Sequence, residues 1–205
     1  MGEVTPTRAA FIDPGAHGAV AGVEWSEEAR RPVALFALGI LGEGDKWEAS
    51  ARARFTEAVS LLQRDTYVAW IEIPGDQVSW AIRTGKALRR RGQQDIRALS
   101  MRVGVLSAYW DMVSGAKPEP HQQRDWAREW MPAIPAGKKG GGEHRISEAG
   151  KLVPGSEALL RDVPKSCRVD AAECLLGAAA ALMAARRRGV KRSLGGPIEQ
   201  ALRGG

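Results

Sequence analysis

Cysteine is nearly absent from this sequence, and so is any long apolar run. The two cysteines, Cys167 and Cys174, fit neither a disulfide framework nor a zinc-ligand spacing. Both are expected to remain reduced thiols, with Cys174 in a helix core. No stretch approaches the ~20 apolar residues that a membrane-spanning helix needs. The run from Ala171 to Ala185 is short, Ala-rich and interrupted by Glu173, which reads as a buried helix. The N-terminal MGEVTPTRAA lacks the apolar segment of a signal peptide, and Pro6 stands where a myristoylation signal places Ser or Thr. A cytoplasmic setting without membrane contact is the expectation, and nothing asks for a small-molecule cofactor.

What remains is an ordinary globular composition with a basic bias. Apolar residues make up 44% of the 205-residue chain and charged residues 26%, enough for one domain with a good core. A formal net charge of +6 and a pI near 9.7 favour a polyanionic partner, either nucleic acid or an anionic membrane surface. The expected layout is one domain over residues 1–187 and a basic, flexible tail over 188–205.

Apolar periodicity gives a coarse order of elements. Residues 8–13 and 18–25 read as antiparallel strands joined at Pro14-Gly15, and 33–41 as a third strand. A helix follows over 46–64, with Trp47, Phe55, Val59 and Leu62 at helical spacing. The segment 67–74 returns to strand character and stops at Pro74-Gly75. Residues 76–113 are helical in pattern. The stretch 117–121 is a Pro-limited edge strand, and 122–130 is a helix. Gly-rich 135–143 reads as the most flexible part of the core. Helices are expected at 145–152, 156–161 and 168–187. Three antiparallel strands leading into α/β alternation imply a mixed sheet with helices on both faces.

Four carboxylates stand out against this background. Asp13 ends an apolar strand just before Pro-Gly, where a plain turn-capping role is the bland alternative. Glu72 interrupts Val68-Ala-Trp-Ile-Glu-Ile73, a run that reads as a buried strand. An ionised carboxylate there is costly unless it is paired with an arginine or holds a cation. Asp170 and Glu173 lie at i and i+3 near the start of an Ala-rich helix, so they share a face. That face continues into Gly177 and Ala180, which points both acids toward the sheet. Acids in a first helical turn also have the ordinary explanation of the helix dipole. Hard divalent ions such as Mg²⁺ prefer oxygen ligands. Two of them about 3.5–4 Å apart can activate water and stabilise a leaving oxygen in phosphodiester cleavage. Four carboxylates carry charge enough for that pair, with Asp13 expected to bridge both ions and the set expected to converge within a few ångströms.

Three motifs in this order resemble the RuvC-like Holliday junction resolvases: Ile12-Asp13-Pro14-Gly15 with Gly18-Ala19, then Ile71-Glu72 with Pro74, then Val169-Asp170-Ala171-Ala172-Glu173. The likeness covers about residues 8–187, and the phage-type and compact bacterial members are the most similar in style. It implies an RNase H-like α/β fold with a five-stranded mixed sheet. It also implies a homodimer that nicks four-way DNA junctions in symmetric pairs, with two Mg²⁺ or Mn²⁺ ions held by Asp13, Glu72, Asp170 and Glu173. The segment from His121 to Trp126, with Lys138 and Lys139 beyond it, is similar to a family stretch whose lysines approach the scissile phosphate; a solvated basic loop is the alternative reading. Two departures are visible. The last acid is Glu173 where bacterial members carry Asp, and Ile73-Pro74-Gly75 replaces the aromatic that follows the central Glu. The nearest aromatic is Trp80, read either as a junction wedge or as core.

Basic residues cluster as well. Residues 83–102 carry Arg83, Lys86, Arg89, Arg90, Arg91, Arg97 and Arg102 against the single acid Asp95. The run is either a solvated helix face or a DNA footprint adjoining Glu72. Arg186 to Arg192 adds five basic residues in seven, a candidate DNA-gripping tail. His17 and His144 are ambiguous between general base and incidental loop histidine. Three rivals remain. An actin-like ATPase or sugar kinase also opens with Asp-x-Gly, but it needs two such domains. An RNase H-like nuclease for flaps or RNA–DNA hybrids fits the same motifs. A non-catalytic junction-binding protein is the third.

Overall fold

The computed structural model describes residues 5–15, 17–40, 46–62, 66–73, 90–122 and 141–188. Strands β1 (Arg8–Asp13), β2 (Ala19–Ser26) and β3 (Arg31–Gly39) precede helix α1 (Lys46–Leu62). Strand β4 (Tyr67–Ile73), helix α2 (Arg90–Ser114) and strand β5 (Glu119–Gln122) follow. Helices α3 (Gly141–Leu152), α4 (Ser156–Asp162) and α5 (Arg168–Arg188) complete the described chain. The sheet has five strands in the order β3-β2-β1-β4-β5. β1–β2 and β2–β3 are antiparallel, whereas β1–β4 and β4–β5 are parallel. Pro120 is accommodated because β5 is an edge strand.

Strand alternation divides the core in two. Ala10 and Ile12 of β1 and Tyr67, Ala69 and Ile71 of β4 face α1 and α2, where Phe55, Leu62 and Trp110 are fully enclosed. Phe55 and Tyr67 meet the Trp110 ring edge-on, at centroid distances of 5.4 and 6.4 Å. The other set, Ala9 and Phe11 of β1 with Val68 and Trp70 of β4, faces α5, backed by Ala149 of α3 and Leu160 of α4. α5 is buried without interruption from Ala171 to Leu182, as expected of a helix that is apolar all round. Its small residues let it lie close to the sheet. A Cβ on Gly177 would sit 2.5 Å from the Phe11 ring, so glycine is required for that approach.

The structure corrects three expectations. The Gly-rich stretch expected to be loop as far as 143 is already helical from Gly141. The first turn of α3 packs on α5, and a Cβ on Gly142 would meet Val169 at 2.7 Å. Tertiary contact therefore overrides the poor helix propensity of glycine. Arg186, expected to open a mobile, DNA-gripping basic tail, stacks over Trp25 at 4.1 Å and reaches the Pro6 carbonyl. Arg102, expected in a basic surface run, donates to the Gly15 carbonyl and lies over Trp47. Residues 74–89, 123–140 and 189–205 lie outside the described residues, so the helix expected at 122–130 and the remainder of the tail are not described. No helix among the described residues is long and apolar enough to cross a membrane.

Candidate active site

Parallel pairing brings the carboxyl ends of β1 and β4 together, the usual place for a site in a sheet of this kind. Ile12 pairs with Ile71, so Asp13 and Glu72 are the next residues along. Both continue the alternation of Phe11 and Trp70 toward α5. The start of α5 brings Asp170 to the same strand ends, and two backbone donors hold the arrangement. The Gly15 N–H donates to Asp13 Oδ1 at 2.7 Å, and the Gly18 N–H donates to Asp170 Oδ2 at 3.1 Å. Gly18 has φ +64°, a left-handed turn that favours glycine. Arg102 fastens the same turn from α2 through the Gly15 carbonyl.

The three carboxyls share one electrostatic field. Burial pushes Asp13 up to about 7, helped by the neighbouring Asp170 and opposed by the Gly15 N–H and by Arg145. Glu72 is pushed up to about 8, first by burial and then by Asp13, with Arg145 opposing. Asp170 is also raised by burial, and the Gly18 N–H, His17 and Arg145 draw it back. Burial leads each shift, and neighbouring acids add to those of Asp13 and Glu72, the pattern of acids gathered without enough positive charge. Among the described residues, Glu72 Oε2 is enclosed and has no hydrogen-bond partner. Cys174 lies behind the acids, its thiol donating to the Ala19 carbonyl at 3.4 Å, and burial pushes that thiol well up.

Glu173 is buried at 5% exposure and is paired with Arg145 of α3. The sequence reading missed Arg145. The available signal was helical spacing: Ala149, one turn on, is fully buried, which places Arg145 near the inward face of α3. Among the described residues, no group of three or more His, Cys, Asp or Glu side chains has spacing ready to hold a metal ion. The acids are thus not spaced as a ready metal centre, and the Arg145 guanidinium is paired with one of them, Glu173. The donor set still fits hard divalent ions: oxygen ligands only, excess negative charge and an unmatched carboxylate oxygen at Glu72.

The other candidates are less informative. His17 is exposed in the β1–β2 turn beside Asp170, and His144 is exposed on α3. Arg83, Lys86, Arg89, Lys138, Lys139 and Trp80 lie outside the described residues. Arg90 and Arg91 open α2, where only the backbone is described.

No protein-family model matches the sequence, and no curated protein matches it. Solved structures do. The chain resembles T. thermophilus RuvC in complex with a Holliday junction substrate at TM-score 0.58 and 11% identity, over 90% of this chain and 98% of that one. A second structure of Thermus thermophilus RuvC matches at TM-score 0.52 and 13% identity, over 86% and 96%. The fold is RuvC-like. In this RNase H-like α/β frame, Asp13 ends β1, Glu72 is the penultimate residue of the adjacent parallel β4, and Asp170 lies in the first turn of the helix packed across them.

Proposed function

We propose that this chain is a divalent-metal-dependent endonuclease that resolves four-way DNA junctions by symmetric paired nicks, working as a homodimer. The observation that carries the reading is the gathering of Asp13, Glu72 and Asp170 at the strand ends of a RuvC-like sheet, each with a carboxyl raised first by burial. Asp13, Glu72, Asp170 and Glu173 would hold Mg²⁺ or Mn²⁺, two ions to a site. The ions supply an activated water and charge stabilisation at the leaving oxygen. The chain's own part is positional: Gly15 fixes one oxygen of Asp13, Gly18 fixes one oxygen of Asp170, and Glu72 keeps an oxygen unmatched.

Arg83, Lys86, Arg89, Arg90, Arg91, Lys138 and Lys139 would contact the phosphate backbone, giving salt-dependent binding with little base preference. The dimer reading has support in α2, which leaves Met101 and Met112 exposed at 72% and 75%. They lie about three turns apart on one side of the helix, with the exposed Gly104 and Ala108 between them, a stripe suited to close packing by a second copy. The domain is proposed to span residues 1–187, with 188–205 as its tail.

The test is a labelled four-way junction incubated with Mg²⁺ or Mn²⁺, beside flap and RNA–DNA hybrid substrates, with wild type and Asp13→Asn. Wild type should give paired nicks on the junction, and Asp13→Asn should bind it without cutting. Undiminished cutting by Asp13→Asn removes the proposed site. Preferential cutting of flaps or hybrids moves the substrate to that rival class, and unpaired single nicks count against a dimer.

A further inference from the structure

Arg145 has no task in the metal-ion reading, yet it lies at the centre of the charge balance. Its guanidinium pairs with Glu173, which lies one helical turn beyond Asp170 on α5. One cation from α3 thus balances the acid-bearing start of α5. Among the described residues, its Nε is enclosed without a hydrogen-bond partner, as is Glu173 Oε1, so charge attraction is what the pair contributes. The helix that bears it is itself fixed to the start of α5, because Gly142 packs against Val169, the residue before Asp170.

A guanidinium suits this position, since it stays charged in any protein environment and is more weakly hydrated than an ammonium group. A divalent ion seeking the same oxygens meets a like charge that is already there, and like charges at contact distance in a partly buried site repel strongly. We propose that Arg145 is the built-in counterion of the metal-free acid cluster and that divalent ions compete with it for the carboxylates. The inference rests on the metal-binding reading of the acids. It gives Glu173 two alternative partners, Arg145 when metal is absent and the cation when metal is present, and so makes the site's affinity for metal a property of α3 as well as of the acids.

The two effects of removing Arg145 have opposite signs, and that distinguishes this role from a purely structural one. Mn²⁺ uptake, read from the electron paramagnetic resonance of the free ion, is measured for wild type, Arg145→Gln, Arg145→Met and Asp13→Asn, together with the melting temperature of each metal-free protein. The two Arg145 variants should melt below wild type without metal, yet bind Mn²⁺ about tenfold more tightly, the equivalent of one pKa unit of coupling. If a variant is unfolded without metal, Mn²⁺ should restore its fold, and failure to do so overturns the proposal. Unchanged or weaker Mn²⁺ binding in both variants also overturns it, while loss of Mn²⁺ uptake in Asp13→Asn keeps the metal reading intact. If Asp13→Asn takes up Mn²⁺ as wild type does, the metal reading fails and the counterion role fails with it.

Discussion

The two faces of the sheet are built from alternate residues of the same strands, and they do different work. Toward α1 and α2 the strands present Ala10, Ile12, Tyr67, Ala69 and Ile71 to an aromatic core centred on Trp110. Toward α5 they present Ala9, Phe11, Val68 and Trp70 to a helix of alanines, and then, two residues further along, Asp13 and Glu72. The first face gathers large apolar volume. The second keeps its contacts small and close, and at the strand ends it accepts buried carboxylates that destabilise the chain unless a cation balances them. On the proposed function, stability and chemistry are divided by the period-two alternation of a strand.

Substitutions on each face should separate these roles. Glu72→Gln removes a raised carboxyl, so the metal-free protein should melt at or above wild type, while junction cleavage falls by about a thousandfold or more, the scale of losing a catalytic group. Trp110→Ala should do the reverse. It opens a cavity in the fully enclosed α1/α2 core and should lose about 3–5 kcal/mol by denaturant titration, with cleavage kept at temperatures where the variant stays folded. Equal loss of stability in both variants would erase the distinction. Gly177→Ala probes the seam between the faces. Its new Cβ would meet the Phe11 ring, an overpacking cost of about 1–3 kcal/mol. Because α5 must then shift relative to β1, Asp170 moves relative to Asp13, and cleavage by the folded variant should also fall. Full cleavage by a folded Gly177→Ala protein would show that the site tolerates a shifted α5.

Much of the fold was legible because its signals are local. The strand-ending Asp13 before Pro-Gly, the acid within Val68–Ile73 and the i, i+3 pair on an Ala-rich helix each follow from short-range pattern, and the five strands fall close to where alternation puts them. What was not legible is pairing over distance. Arg145 reaches Glu173 and Arg186 reaches Trp25 through the tertiary fold, and a cation read in sequence looks like solvated surface. The helical start at Gly141 escaped for the same reason, since Gly142 is held by Val169 rather than by its own propensity. Glu173 was legible as an acid on the inward face, but its arginine partner was not.

The contrast between the faces extends, more gently, to pH. Asp13 and Glu72 are raised in the folded protein to about 7 and about 8, well above the roughly 4 of an unfolded carboxyl. Between those values the folded state binds more protons than the unfolded state, so stability falls as pH rises through the window from about 4 to about 8 and then levels off. A divalent ion binds the deprotonated acids, so it should relieve this loss and act in the opposite direction. Mn²⁺ should raise the melting temperature clearly at pH 8 and hardly at pH 5, where protons already occupy the oxygens. The α1/α2 face has no part in this, so Trp110→Ala should lower the whole curve without changing its slope. The double variant Asp13→Asn, Glu72→Gln should flatten the slope and abolish the Mn²⁺ shift. Thermal melts of metal-free and Mn²⁺-loaded protein across this range are the measurement. A metal-free stability that rises from pH 5 to pH 8 would mean that the acids are already balanced within the fold, with Arg145 supplying more of that balance than the raised carboxyls imply.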